Sequence, residues 1–136
     1  MRGRETRLSL VAVLSLTCLM PLIAQSSHVR ERDPGWTAPS NEADRSNPLT
    51  NQPSAAAGGR KLFDQRCTTC HGDDGRGTSR APGLVDVDVQ AQTDGALFWK
   101  ISSGHTRRGM PSFSFLPPAQ RWQLVLHLRS LAHDAR

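Results

Sequence analysis

Cysteine is scarce in this chain. Only Cys18, Cys67 and Cys70 carry a thiol among 136 residues, too few for the four or so paired ligands of a structural zinc site. A disulfide between Cys67 and Cys70 would span a two-residue gap, which strains the bond and closes almost no loop. Methionine is equally rare, at positions 1, 20 and 110. Excess charge is also small once the N-terminal segment is set aside. Removing Arg2, Arg4, Arg7 and Glu5 takes 17 basic and 12 acidic residues to 14 and 11. A surplus of that size does not argue for nucleic acid as a partner.

Long apolar runs are missing apart from residues 8–24. That run follows Arg2, Arg4 and Arg7 and ends at the polar Gln25-Ser26-Ser27, the charged, hydrophobic and cleavage order of a secretory signal. It contains Ser9, Ser15, Thr17 and Pro21 and lies at the short end for a spanning helix. Residues 1–24 are therefore expected to be a signal peptide cleaved after Ala24, which places the protein in the periplasm. Leu22 is a poor small-residue match near that bond, and the alternative is an uncleaved anchor to the inner membrane through residues 8–24. After cleavage Cys67 and Cys70 would be the only thiols and Met110 the only methionine.

Against this sparse background stands Cys67-Thr68-Thr69-Cys70-His71. Two thiols about one helical turn apart, followed at once by an imidazole, form a covalent haem-attachment site. Both sulfurs reach one porphyrin edge, and His71 meets the iron from one side. A thioredoxin-like redox pair would need a strand before the first cysteine, and none is signalled. One haem c, bound through Cys67 and Cys70, is the expected cofactor.

Residues 25–54 hold Pro34, Pro39, Pro48 and Pro53 among Asn, Ser, Asp and Arg, without apolar periodicity. They are expected to form a flexible arm, with Trp36 and Pro48-Leu49 as points where it could instead dock on the domain. The folded unit is assigned to residues 55–136. Its first helix starts at Ala55 and carries the cysteines; Gly58 and Gly59 either mark the helix start or, at Gly59, admit a second helix closely, with Phe63 packing one turn on. Thr93 as N-cap, Asp94 in the first turn and Gly104 as stop define a second helix. A third starts at Pro118, a favourable first position, and runs to about residue 132 behind a broad apolar stripe that includes Trp122, Val125 and Leu128. So small a core needs the cofactor, and the apo form is expected to be poorly folded.

Met110 lies in the irregular stretch Arg108-Gly109-Met110-Pro111-Ser112-Phe113 and is the leading candidate for sixth iron ligand. His105 is its main competitor; His28, His127 and His133 are less suited. Thioether ligation opposite histidine raises the reduction potential and fills the coordination sphere. Gly72-Asp73-Asp74-Gly75-Arg76-Gly77 follows a helix and reads as a tight turn instead of a phosphate loop. Residues 84–89 alternate apolar and acidic and are expected to be a short extended segment, with Asp86 and Asp88 facing water. Arg107 and Arg108 are either a solvated charged loop or a docking point for an acidic redox partner.

Gly59-x-x-x-Phe63-x-x-x-Cys67-x-x-Cys70-His71, then Ala81-Pro82-Gly83-Leu84, Gly109-Met110-Pro111 and the stripe from Trp122 to Leu131 together resemble the small class I c-type cytochromes over about residues 58–131. The resemblance implies an all-α cytochrome c fold, three to four short helices around one covalently bound haem. It implies that the Pro82 carbonyl takes the ring N–H of His71, that Leu84, Trp99 and Phe113 line the haem pocket, and that the first and last helices cross near Gly59. His127 stands where the family commonly has tyrosine. The closest likeness is to small periplasmic cytochromes that accompany dehydrogenases or terminal oxidases, including the c-type subunits of those oxidases. The expected function is single-electron transfer between a redox protein donor and acceptor, by a monomer or a subunit of a complex, with no substrate transformed. A membrane-tethered oxidase or dehydrogenase subunit is the alternative, and a gas- or peroxide-reactive haem protein the more distant one.

Overall fold

The computed structural model describes residues 35–134, with backbone only at His133 and Asp134. Residues 1–34 lie outside it, and with them the leader, Cys18 and His28. Six helices follow in order: α1 Ser40–Ala43, α2 Ala55–Arg66, α3 Thr68–His71, α4 Val87–Gln90, α5 Asp94–Ser103 and α6 Pro118–Asp134, with a 3₁₀ turn Thr106–Arg108 between the last two. No strand forms among the described residues, so the fold is all-α. Three of the helices are single turns, and the other three are those marked by the sequence.

Helix α2 runs through two glycines that each weaken a helix interior by about 1 kcal/mol relative to alanine. The compensation is a crossing. A Cβ on Gly59 would sit 2.0 Å from the Gln123 carbonyl oxygen and 3.0 Å from the His127 Cβ, so only glycine lets α6 lie on α2 at this point. Phe63, one turn on, is fully buried, as is Val125 on α6. Burying such side chains stabilises by about 1.5–3 kcal/mol each. Around them Leu97, Phe98, Ile101, Phe113, Leu116, Trp122, Leu124 and Leu128 complete one apolar cluster.

Helix α5 begins as its sequence directs: the Thr93 hydroxyl accepts the Ala96 N–H at 3.1 Å. It ends at Gly104, with φ +66°, a left-handed conformation that glycine adopts without strain. The expected extended segment at 84–89 is corrected. Asp86 is extended, but Val87–Gln90 closes into a helical turn. A six-residue alternation cannot distinguish strand from turn, and Val87 is 80% exposed, so no buried face enforces a strand. The Gln90 side chain pins the turn by donating to the carbonyls of Leu84 at 2.7 Å and Leu128 at 3.1 Å.

The flexible arm is corrected too. From Trp36 onward the segment wraps the domain, so the folded unit begins well before residue 55. The Trp36 indole N–H donates to the Gly104 carbonyl at 2.8 Å, the Thr93 hydroxyl donates to the Ala43 carbonyl at 2.6 Å, and the buried Asn47 amide donates to the Trp122 carbonyl at 3.2 Å. Leu49 packs against the core. The Arg45 guanidinium lies 4.6 Å from the centre of the Phe98 ring. Each tie uses a single polar or aromatic side chain against backbone or ring, which leaves no periodic signal in the sequence.

Candidate functional site

The first helix does not itself carry the cysteines: α2 ends at Arg66, Cys67 caps it, and Cys70 lies on the single turn α3. The Cys67 N–H bonds to the Phe63 carbonyl at 2.8 Å and the His71 N–H to the Cys67 carbonyl at 2.9 Å, so helical bonding continues across the kink at Cys67 into α3. Both cysteines are free and half-buried. Burial, and then the neighbouring Cys70, push the Cys67 thiol up to about 11, which keeps it protonated at neutral pH. Cys67 packs against the apolar cluster, as do Leu84 and Met110, while Phe113 belongs to it.

Beyond His71 the chain reverses on glycines. Gly72 and Gly77 have φ of +79° and +87°, and a Cβ on Gly77 would lie 2.6 Å from the Gly83 nitrogen. The Gly77 N–H bonds the His71 carbonyl at 2.7 Å, and the Thr78 hydroxyl donates to the Cys70 carbonyl at 2.5 Å. This folding returns Pro82 to the imidazole, whose Nδ1 lies 2.9 Å from the Pro82 carbonyl oxygen. A carbonyl only accepts, so Nδ1 carries the proton and the Nε2 lone pair is left for a ligand. Burial lowers the His71 pKa, partly opposed by the bond to Pro82, and the ring is neutral as metal ligation requires.

On the other side of the sequence, His105 and Met110 form a narrow hairpin. The His105 N–H bonds the Met110 carbonyl at 2.8 Å and the Met110 N–H bonds the His105 carbonyl at 3.1 Å. The 3₁₀ turn and Gly109, at φ +86°, close it. Met110 is half-buried. The His105 ring stacks on Trp36 with centroids 4.8 Å apart and planes 10° from parallel. Trp99 is half-buried on α5, while Arg107 and Arg108 are exposed. His127 is buried at the α2–α6 crossing, edge-on to Phe63 at 5.1 Å. The side chain of His133 lies outside the described residues.

The sequence model of a family described as cytochrome c oxidase, cbb3-type, subunit III matches residues 54–128. The chain belongs to that family. No curated protein matches it. Membership makes the chain a c-type cytochrome whose function is haem-based electron transfer, with a covalently bound haem c implied by the domain and by the Cys-x-x-Cys-His spacing.

The donors present in this cytochrome domain fit that group. Two unpaired thiols sit one turn apart, a neutral imidazole has its Nδ1 proton committed to a carbonyl, and an apolar cluster lies against Cys67, Leu84 and Met110. Among the described residues no cluster of three or more His, Cys, Asp or Glu side chains suits a bare metal ion.

Sequence reasoning missed Asn47 and Arg129. The Arg129 guanidinium donates to Asp94 at 2.8 and 2.9 Å and to the Gln90 and Gln92 carbonyls at 2.8 and 2.6 Å. It ties α4, α5 and α6 around the segment that follows Pro82. A lone arginine on an apolar helix gives no sign of such a role.

Proposed function

We propose that this cytochrome is an exported carrier of single electrons, with haem c bonded to Cys67 and Cys70 and its iron held between His71 and Met110. The observation that carries the reading is the 2.9 Å contact between His71 Nδ1 and Pro82, which orients an imidazole beside the paired thiols and raises its basicity toward iron. When bound, the haem supplies an iron that cycles between ferrous and ferric states. The protein's part is to keep both ligands in place in both states. Pro82 fixes the ring of His71, and the His105–Met110 hairpin fixes the backbone that bears the thioether. With both positions filled, electrons pass with little rearrangement and no coordination site is left for substrate.

Expression in a host able to attach haem tests this. The exported polypeptide should gain the mass of one haem, and its ferric form should show the far-red sulfur-to-iron charge-transfer band. A mass without added haem would sink the cofactor assignment. Ready binding of carbon monoxide or peroxide would favour the gas- or peroxide-reactive alternative.

The family description favours a second reading, in which the chain works as the c-type subunit of an oxidase complex and receives electrons for it. No helix among the described residues is long and apolar enough to cross a membrane, so tethering would rest on residues 8–24. The mature N-terminus and the proteins that co-migrate with it in native membranes discriminate between carrier and tethered subunit.

A further inference from the structure

The His105–Met110 pairing sets up a competition. In an antiparallel pair, directly opposite residues place their side chains on the same face of the ribbon, with Cα atoms about 5.5 Å apart when they exchange both hydrogen bonds. An imidazole and a thioether, each able to bind iron, are thus borne side by side by one short loop. The backbone of the hairpin does not choose between them.

Trp36 does. Its ring covers the His105 imidazole in a near-parallel stack at 4.8 Å, while its indole N–H holds the Gly104 carbonyl at the base of the hairpin, 2.8 Å away. Gly104 is itself pressed against the exit of the loop: a Cβ there would lie 2.5 Å from the Pro111 carbonyl carbon. The Lys100 ammonium sits 4.5 Å from the centre of the Trp36 ring, a cation–π contact that holds the indole to α5. The segment bearing Trp36 is anchored further along by Asn47 on Trp122 and by Leu49 in the core, so the indole is delivered by a seated strap.

We propose that Trp36 is a positioning residue that selects the sixth ligand: by holding the His105 ring and the base of the hairpin, it leaves Met110 as the side chain of this loop that reaches the iron. The inference rests on the reading of Met110 as sixth ligand and adds to it a specificity device supplied by the N-terminal strap. Exchange of thioether for imidazole would lower the reduction potential, so the strap sets the working potential of the carrier.

The test uses the haem-loaded protein and three variants, with helical circular dichroism as a control for folding. Wild type should show the far-red thioether band. Trp36→Ala should lose most of it at neutral pH, take on the absorption of an iron held by two nitrogens, and shift to a lower midpoint potential. Adding His105→Ala to Trp36→Ala should restore the band and most of the potential, because the competing imidazole is gone. Trp36→Phe, which keeps an aromatic face on His105 but drops the bond to Gly104, should keep the band and lose it at a lower temperature than wild type.

A Trp36→Ala protein with wild-type band and potential would overturn the proposal. So would equal loss in the single and double variants, since His105 would then not be the competitor. If Trp36→Ala does not fold, Trp36→Phe decides: loss of the band at ordinary temperature would overturn the role of the stack. Absence of the band in wild type would instead overturn the assignment of Met110 itself.

Discussion

Gly59 is the residue on which the helix crossing depends. A Cβ placed 2.0 Å from a backbone oxygen cannot be absorbed by a side-chain rotation, so Gly59→Ala must separate α2 from α6. Overpacking of this kind costs about 1–3 kcal/mol and occasionally more; we expect about 3 kcal/mol, read as a lowered denaturation midpoint of the haem-loaded protein. Gly58→Ala should be milder, because the nearest atoms are the flexible end of Gln123. The sequence pointed to Gly59 through its spacing to Phe63 and Cys67. It did not point to Asn47, whose amide is buried against a carbonyl seventy-five positions away. Asn47→Ala should remove that bond and take the Oδ1 acceptor from the Leu49 N–H, destabilising by about 1–3 kcal/mol, read as a lowered denaturation midpoint.

Between elements, Arg129 joins what the backbone leaves separate. α4 is a single turn, and the guanidinium takes the carbonyl of Gln90 at its end and that of Gln92 just beyond it while pairing with Asp94 in the first turn of α5. The pair is partly exposed, about a quarter on each side chain, so its value lies more in the hydrogen bonds to carbonyls than in the charge attraction. Arg129→Leu is expected to destabilise by about 2 kcal/mol and to raise hydrogen exchange selectively around residues 84–92; uniform protection there would refute this role. Helices α2, α5 and α6 could be read from caps, stops and periodicity because those signals are local. The turn at 87–90 and the strap could not, because both are held by single side chains reaching distant carbonyls.

At the scale of the whole molecule, the apolar cluster is small, and the covalently bound haem c that the family implies would add to it. Cys67→Ala/Cys70→Ala should therefore abolish haem retention and leave a chain with reduced helical content and a broad, weakly cooperative melt. A cooperatively folded apo protein would contradict that dependence. The exposed Arg107 and Arg108, on the loop that bears Met110, give a prediction for encounter. Reversing both charges should slow electron transfer with an acidic partner at low ionic strength and have little effect at high salt. Rates of transfer measured by stopped flow, insensitive to both salt and charge reversal, would assign these side chains to plain solvation.

The attachment chemistry was already legible in five consecutive residues, because the reach of two thiols and an imidazole toward one planar group is a matter of spacing along a helical turn. The starts and stops of the three long helices were legible for the same reason. Folding alone determined which carbonyl meets the His71 ring, how closely α6 crosses α2 and where Trp36 lies, since these depend on chain segments separated by tens of residues meeting in space. No local pattern records that the strap preceding the helical domain stacks on the neighbour of its candidate iron ligand.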